Sequence, residues 1–290
     1  MRNLKVITII IFLVLTIAFS VFFSFDRMVT DHTPPIIYCE DKPLEVSVKA
    51  SDYELCSGMT AVDDVDGDIT DRIIVRRVSQ LIGANSATVH YTVFDSSSNC
   101  CTFVRNIYYT DYSKPHFTLT QPLIYTVNSV ISLQDRLTAS DVIDGDISRR
   151  IRPFYSNISN EEVGDYRVNV QVTNSSGDTS IVEFTIMIRN TTARHPLIRL
   201  SDYLIYVDQN SELTFEELRN YIITARETRN GDSIDFEDII ISGDAPIGGT
   251  AIRPAEEKLD TGTLGSQNVY FSYTNEAGLE YTVILTVVVE

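Results

Sequence analysis

The chain has 290 residues and a formal net charge of −17 at pH 7. A carboxylate surplus of this size repels phosphate backbones and anionic lipid headgroups, so nucleic acid and a negatively charged membrane surface are excluded as partners. The same carboxylate surplus is compatible with the binding of divalent cations. The length predicts about two domains of average size, or nearly three if each is an all-β module of about 100 residues.

The first predicted element is a membrane-spanning helix. Residues Val6 to Phe25 carry no charge, and 20 residues at about 1.5 Å each span the ~30 Å hydrocarbon core of a bilayer. Because Arg2 and Lys5 precede this run, the positive-inside rule places the N-terminus in the cytoplasm and the C-terminus outside the cell. We therefore predict a single-pass plasma-membrane protein with residues 1–28 as cytoplasmic stub and anchor.

A cleaved signal peptide is the alternative interpretation of this segment. Ala18 and Ser20 are small residues at the spacing of a cleavage site. The apolar run continues through Phe23, which is long for a signal-peptide core, so an uncleaved anchor is favoured. Either interpretation exports the rest of the chain, which would be a secreted protein if cleavage occurs.

Three copies of one module follow the helix, with predicted boundaries at 29–111, 112–191 and 192–290. Each opens on a proline, and the first two share the pattern A-x-D-x-x-D-G-D-I-[TS]. Self-similarity at a period of about 80–95 residues indicates tandem units. The matching segments are Ala61–Thr70, Ala139–Ser148 and a degenerate Ala225–Asp232.

Each copy also contains an alternating strand, a polar tight turn and a second strand, which is the signal of a hairpin. The alternation predicts half-buried antiparallel strands and a two-sheet sandwich. The fold class is therefore all-β, with three tandem immunoglobulin-like β-sandwich domains after one N-terminal transmembrane helix. The last strand shows the alternation best, with Tyr281, Val283, Leu285, Val287 and Val289 on one face and Glu280, Thr282 and Thr286 on the other.

The third copy carries two predicted additions relative to the second. Thr214 and Glu217 form a capping box, and the apolar spacing after them predicts a helix from about Phe215 to Thr224. The segment Gly243–Leu259, rich in Gly, Pro and charge, is predicted to be a long surface loop. Because loops on a rigid scaffold commonly carry binding sites, this copy is the predicted binding element. The alternative is drift in a terminal repeat.

The repeated motif resembles that of bacterial immunoglobulin-like surface repeats, including the modules found with pesticidal crystal proteins and hyalin-repeat-like domains. The resemblance rests on the Asp-Gly-Asp segment, the G-x-Y-x-V element at Gly164–Val168, and the polar turn that follows. It covers residues 34–290, although the third copy departs at Asn230 and Ser233. It implies a β-sandwich on a bacterial surface used for spacing or adhesion, and it does not imply an enzyme.

All four cysteines fall in the first copy, and an even number in an exported segment predicts disulfides. Cys39 aligns with Leu119 and Leu200, and Cys101 aligns with Tyr281 of the third copy, so both should point inward. Cys100 should point outward because strand side chains alternate, and Cys56 lies in a polar loop. We predict the pairs Cys39–Cys101 and Cys56–Cys100. Free thiols or a metal site are the alternatives.

The acidic turns predict either turn chemistry or a calcium site. Asp caps turns through its own backbone and Gly supplies positive φ, so turn chemistry is favoured and no cofactor is required. Calcium prefers six to eight oxygen ligands from such loops, but the spacing is not that of an EF-hand. The candidate calcium ligands are Asp63, Asp64, Asp66 and Asp68 in the first copy and Asp141, Asp144 and Asp146 in the second.

The sequence contains no motif that predicts catalysis, such as H-E-x-x-H, G-x-S-x-G or a phosphate-binding loop. We therefore expect a membrane-anchored surface protein for binding, adhesion or spacing, and not an enzyme. Its expected partners are the membrane, through the helix, and an unknown protein or glycan. The alternatives are a purely structural envelope stalk or an accessory subunit of a membrane complex.

Overall fold

The computed structural model describes residues 2–29, 31–155, 158–190, 196–228, 231–243 and 258–290. Its contacts divide the chain into two compact units, residues 1–112 and residues 113–290. The first unit contains the N-terminal helix and the first copy of the repeat. The second unit contains the second and third copies.

Helix α1 spans Arg2–Val29 and contains the apolar stretch Lys5–Ser24. None of this stretch is buried within the protein, and it is long and apolar enough to cross a membrane. A signal sequence near the N-terminus can also meet this criterion of length and composition. The predicted N-terminal apolar helix is thus present, whereas its topology stays a prediction.

The first copy folds as two sheets in the orders β1-β3-β4 and β2-β7-β6-β5. The first two strands belong to different sheets, because β1 pairs antiparallel with β3 whereas β2 pairs parallel with β7. A single α-helical turn, α2, and a short 3-10 helix lie between strands. The elements are β1 (Ile36–Cys39), β2 (Leu44–Val46), α2 (Asp52–Leu55), β3 (Met59–Asp63), β4 (Gly67–Asp68), the 3-10 helix Thr70–Arg72, β5 (Ile74–Val78), β6 (Ser86–Phe94) and β7 (Cys100–Tyr109).

The two sheets enclose one core because alternate side chains of each strand point between them. On β6, Val89, Tyr91 and Val93 are fully buried, and they share the core with Ile37 and Ala61 of the other sheet. The hydroxyl of Tyr91 donates a hydrogen bond of 2.6 Å to a backbone carbonyl of α2. This is the sandwich arrangement that the alternation predicted.

The second copy repeats both sheets in the orders β11-β10-β8 and β12-β13-β14-β9, again with the short second strand parallel to the last. Its elements are β8 (His116–Leu119), β9 (Ile124–Thr126), β10 (Leu137–Asp141), β11 (Gly145–Asp146), the 3-10 helix Ser148–Arg150, β12 (Arg152–Tyr155), β13 (Gly164–Thr173) and β14 (Thr179–Arg189).

The third copy keeps the four-stranded sheet β16-β20-β19-β18 and reduces the other sheet to β15-β17 within the described residues. Its elements are β15 (Leu197–Leu200), β16 (Leu204–Val207), α3 (Phe215–Arg219), β17 (Ile222–Arg226), the 3-10 helix Phe236–Asp238, β18 (Ile240–Ser242), β19 (Gly265–Thr274) and β20 (Glu280–Val289).

The predicted capping box of the third copy is confirmed, but its helix is shorter than expected. The side chain of Thr214 accepts from the backbone of Glu217, whose carboxylate accepts from Thr214 in return. The helix α3 ends at Arg219 because Ile222 already pairs in β17. It is not an addition peculiar to this copy, since α2 of the first copy has the same capping box. Residues 244–257 of the predicted loop lie outside the described residues.

The second and third copies share a continuous hydrophobic core inside the second unit. The backbone N–H of Phe117 donates to the hydroxyl of Tyr206 at 2.8 Å, and the amide of Asn268 donates to Thr185 Oγ1 at 2.8 Å. The prediction that β20 is half-buried was therefore wrong. Its second face, including Thr286, is also buried, because the second copy covers it.

We expect the substitution Met187→Asp to destabilise the second unit by about 3 kcal/mol or more. Met187 is 2% exposed and lines a small cavity between the two copies together with Ile284, so the substitution would bury an unpaired charge. The matched control is Ile181→Asp on the same strand, which is 61% exposed and should cost about 1 kcal/mol or less. Denaturant melts of the full chain measure both. Equal losses would show that the packing of the copies contributes little stability.

Candidate metal centre

The hairpin between β3 and β4 is closed by the side chain of Asp63. Its Oδ1 accepts hydrogen bonds from the backbone N–H groups of Val65 and Asp66 at 3.0 and 2.8 Å. Gly67 then adopts φ +74°, a conformation that costs glycine little and other residues more. Asp141 and Gly145 repeat this arrangement in the second copy. The predicted turn chemistry is therefore present in both copies.

A second aspartate in each hairpin links the two sheets. Asp66 accepts from the backbone N–H and hydroxyl of Ser96, which follows β6, at 2.7 and 2.5 Å, and it forms an ion pair of 2.7 Å with Arg72. Asp144 of the second copy repeats all three contacts. We call the pair of contacts Asp66–Ser96 and Asp144–Ser175 the inter-sheet clasps.

The contacts of the clasps lower the pKa values of Asp66 and Asp144. Hydrogen bonds from Ser96, reinforced by Arg72, hold the pKa of Asp66 below its ordinary value. At Asp144, burial alone would raise the pKa, but the bonds from Ser175 and the neighbouring Arg150 outweigh it and lower the pKa overall. Both carboxyl groups therefore remain charged well below neutral pH.

The remaining predicted ligands have separate roles. Asp68 accepts from the backbone and hydroxyl of Thr70, which lowers its pKa, and Asp146 does the same with Ser148. Asp64 is exposed. Of the predicted ligands in the first copy, Asp66 and Asp68 are thus engaged by protein hydrogen bonds, and Asp64 faces solvent.

One member of that set meets two carboxylates that sequence reasoning missed. Within the described residues, Asp63 lies with Asp31 and Asp95 such that one ligand atom from each falls within 4.8 Å of the others. Asp63 and Asp95 are buried and Asp31 is partly exposed. Asp63 ends β3 of one sheet, Asp95 directly follows β6 of the other, and Asp31 precedes β1. We call these three residues the acidic cluster.

The acidic cluster is held in place by Asn99. Its backbone N–H donates to Asp95 Oδ1 at 2.8 Å, and its amide donates to Asp95 Oδ2 at 2.7 Å and to the carbonyl of Asp31 at 3.1 Å. Asp31 Oδ1 in turn accepts from the backbone of Thr33 at 2.8 Å. In contrast, Asp63 Oδ2 is buried and has no hydrogen-bond partner among the residues described.

The other two copies satisfy the matching carboxylate with a neutral donor. In the second copy the amide of Asn174, at the position of Asp95, donates to Asp141 Oδ2 at 3.0 Å. In the third copy Glu227 takes the position of Asp63 and accepts from the hydroxyl of Tyr273 at 2.5 Å. That bond raises the pKa of Tyr273 to about 12, so the hydroxyl remains a donor at neutral pH.

The cysteines are all unbonded thiols in this structure. Cys39 and Cys101 pack against the core, and Cys100 is exposed, in agreement with the predicted strand faces. Cys56 follows α2 and also packs against the core, although the sequence placed it in a polar loop. The pairs Cys39–Cys101 and Cys56–Cys100 stay predictions, which peptide mapping without reduction would decide.

Comparison with known proteins adds a weak similarity. No family model matches the chain. Over 156 residues it is 26% identical to the pesticidal crystal protein Cry22Aa of Bacillus thuringiensis, which covers 52% of this chain and 21% of that protein. The chain thus spans about a fifth of the length of the curated relative. The match involves the class of protein that the repeated motif resembles.

Similar solved structures include that of CBM51-2 in complex with GlcNAc and INT domains from Clostridium perfringens ZmpB. That chain is 19% identical with a TM-score of 0.22, covering 51% of this chain and 26% of its own. Drosophila N-cadherin EC1-4 is 13% identical with a TM-score of 0.24, covering 90% and 68%. Structural similarities at TM-scores this low carry no functional argument.

We expect Asp144→Asn to lower the melting temperature at pH 7, by the equivalent of about 1–2 kcal/mol, because a neutral amide weakens the clasp to Ser175. A carboxyl group with a lowered folded-state pKa contributes stability above its unfolded pKa of about 3.9 and loses it as pH falls through the folded value. The difference from the unsubstituted protein should therefore shrink on acidification from pH 5 to pH 3. Thermal melts in chelator measure it, with Asp202→Asn at an exposed position as control. A pH-independent difference would contradict the electrostatic account.

Proposed function

We propose that the chain is a membrane-anchored extracytoplasmic protein whose β-sandwich copies carry or space a binding surface on the cell exterior. The observation that carries the proposal is the helix α1. Its stretch Lys5–Ser24 is long and apolar enough for a bilayer, and none of it is buried against the rest of the protein. An exposed apolar surface of this size is not stable in water, so a lipid environment best accounts for it.

The orientation follows from charge. Arg2 and Lys5 lie at the N-terminal end of the helix, whereas acidic sequence follows it, which favours a cytoplasmic N-terminus and exported sandwiches. The surplus of carboxylates on the exported part keeps such a surface soluble and disfavours adsorption to anionic lipid. We propose a binding or spacing role for these sandwiches and no catalytic one.

The partner is proposed as a protein or a glycan, with the third copy as the first place to look. This copy departs most from the common motif and carries the insertion Gly243–Leu259. Leu259 itself is buried and its backbone N–H donates to the carbonyl of Leu213 at 2.9 Å. A deletion that tests the insertion should therefore leave Leu259 in place. A structural stalk without a ligand is the second candidate, favoured by the shared core of the second and third copies.

Topology can be tested with a C-terminal epitope tag on the full chain. We expect external protease to remove the tag from intact cells and carbonate extraction to leave the full-length protein in the membrane pellet, because the uncleaved helix spans the bilayer. A matched variant with Leu13→Arg and Leu15→Arg should leave the pellet, whereas Leu13→Ala with Leu15→Ala should stay. Protection of the tag in intact cells would contradict the proposed orientation. A soluble product starting near Ser20 would instead support signal cleavage.

The binding role can be tested by pull-down with the detergent-solubilised full chain and a variant lacking residues 245–256. We expect a partner to be retained by the full chain and lost from the deletion variant, while both show the same thermal melt. Retention at unchanged affinity would exclude the insertion as the binding site. Absence of any partner would favour the stalk.

A further inference from the structure

We propose that Asp31, Asp63 and Asp95 together bind one calcium ion in the first copy. This inference goes beyond the proposed function and does not depend on it, because it rests on the first sandwich alone. It also differs from the ligand set predicted by sequence, of which it keeps Asp63 only.

The Asp63 side chain has a buried oxygen, Oδ2, that lacks a hydrogen-bond donor among the described residues. This carboxylate is 4% exposed, and only its Oδ1 is used by the hairpin, while Oδ2 has no partner among the described residues. A buried carboxylate oxygen without a donor or counter-charge lowers the free energy of unfolding by several kcal/mol. Native proteins therefore seldom contain a buried polar atom without a partner. Something outside the described chain therefore satisfies it.

The residue that faces this oxygen differs between the first and the second copy. In the second copy the matching oxygen, Asp141 Oδ2, receives the amide of Asn174, and Asn174 occupies the position of Asp95. The same backbone positions thus bring Asp95 toward Asp63 in the first copy. A carboxylate cannot donate where the amide does, so two negative groups face each other instead of a donor and an acceptor. This converts a satisfied hydrogen bond into a site for a cation.

The three carboxylates are spaced closely enough to share one calcium ion. Asp31 adds a third carboxylate, and one oxygen from each residue lies within 4.8 Å of the others, about twice the calcium–oxygen distance of 2.3–2.6 Å. One calcium ion can therefore contact all three without a shift of the main chain. Asp31 is partly exposed, which leaves room for the water ligands that complete a coordination number of six to eight.

The bound ion would have a structural consequence. Asp63 belongs to one sheet, Asp95 directly follows a strand of the other, and Asp31 follows helix α1 in the chain. Calcium would therefore join both sheets and tie the segment entering the sandwich to them. The rival explanation is a proton shared among the three carboxyl groups, which would also satisfy Asp63 Oδ2.

The test uses hydrogen exchange of the full chain in detergent, with calcium chloride at 10 mM or with chelator. We expect calcium to slow exchange in peptides covering 31–35, 62–67 and 94–99, and to leave the matching peptides 140–145 and 173–178 unchanged as an internal control. The melting transition of the first copy should also rise. At 100 times the dissociation constant the folded-to-unfolded ratio increases about 100-fold.

The decisive variant is Asp95→Asn, which copies the arrangement that folds in the second copy. It should abolish the calcium response and, in chelator, be at least as stable as the unsubstituted chain, because the amide can donate to Asp63 Oδ2. The matched control Asp141→Asn should leave the calcium response of the first copy intact. A calcium response that survives in Asp95→Asn would overturn the proposal. So would a chain whose hydrogen exchange and melting transition are the same in calcium and in chelator.

Discussion

Carboxylates at one end of each sandwich join its two sheets, and the arrangement of the strands around them depends on this constraint. The clasps Asp66–Ser96 and Asp144–Ser175 connect the hairpin of the three-stranded sheet to the turn of the four-stranded sheet. A sandwich core is non-directional and would tolerate sliding of one sheet over the other. Short, charge-assisted hydrogen bonds fix that register because they have strict geometry.

The carboxylate at the position of Asp63 has a different partner in each copy. An amide satisfies it in the second copy and a phenol in the third, whereas the first copy places a second carboxylate there. These three environments show how one backbone can be retained while its polar chemistry changes. In the first copy, which follows helix α1 in the chain, the carboxylates of Asp63 and Asp95 lie close together, and this is the arrangement for which we propose a calcium ion. That copy is also the one that contains all the cysteines.

Much of the fold was predictable because its signals are local. The uncharged run Val6–Phe25 predicted α1, and period-two alternation predicted the long strands with the correct faces. The Asp-Gly-Asp segments predicted hairpins because Asp63 and Gly67 act through their own backbone. The buried outer face of β20 was not predictable, since Thr286 reads as a solvent-facing residue and becomes buried only through another copy.

The acidic cluster escaped prediction because its members are far apart in sequence, and only the pairing of the sheets brings Asp31 and Asp95 to Asp63. The alignment of the copies did hold a signal, namely Asp95 at a position where the others have Asn174 and Asn275. From the sequence alone, an Asp in place of an Asn in a polar turn has no evident structural or functional consequence. Its meaning appears only when the amide of Asn174 is seen to serve a buried oxygen.

The most direct measurement is an anomalous difference map from crystals of the protein grown with calcium. The account predicts one peak about 2.3–2.6 Å from carboxylate oxygens of Asp31, Asp63 and Asp95, and none at Asp141. Carboxylates drawn together around a shared proton, with no peak between them, would contradict it.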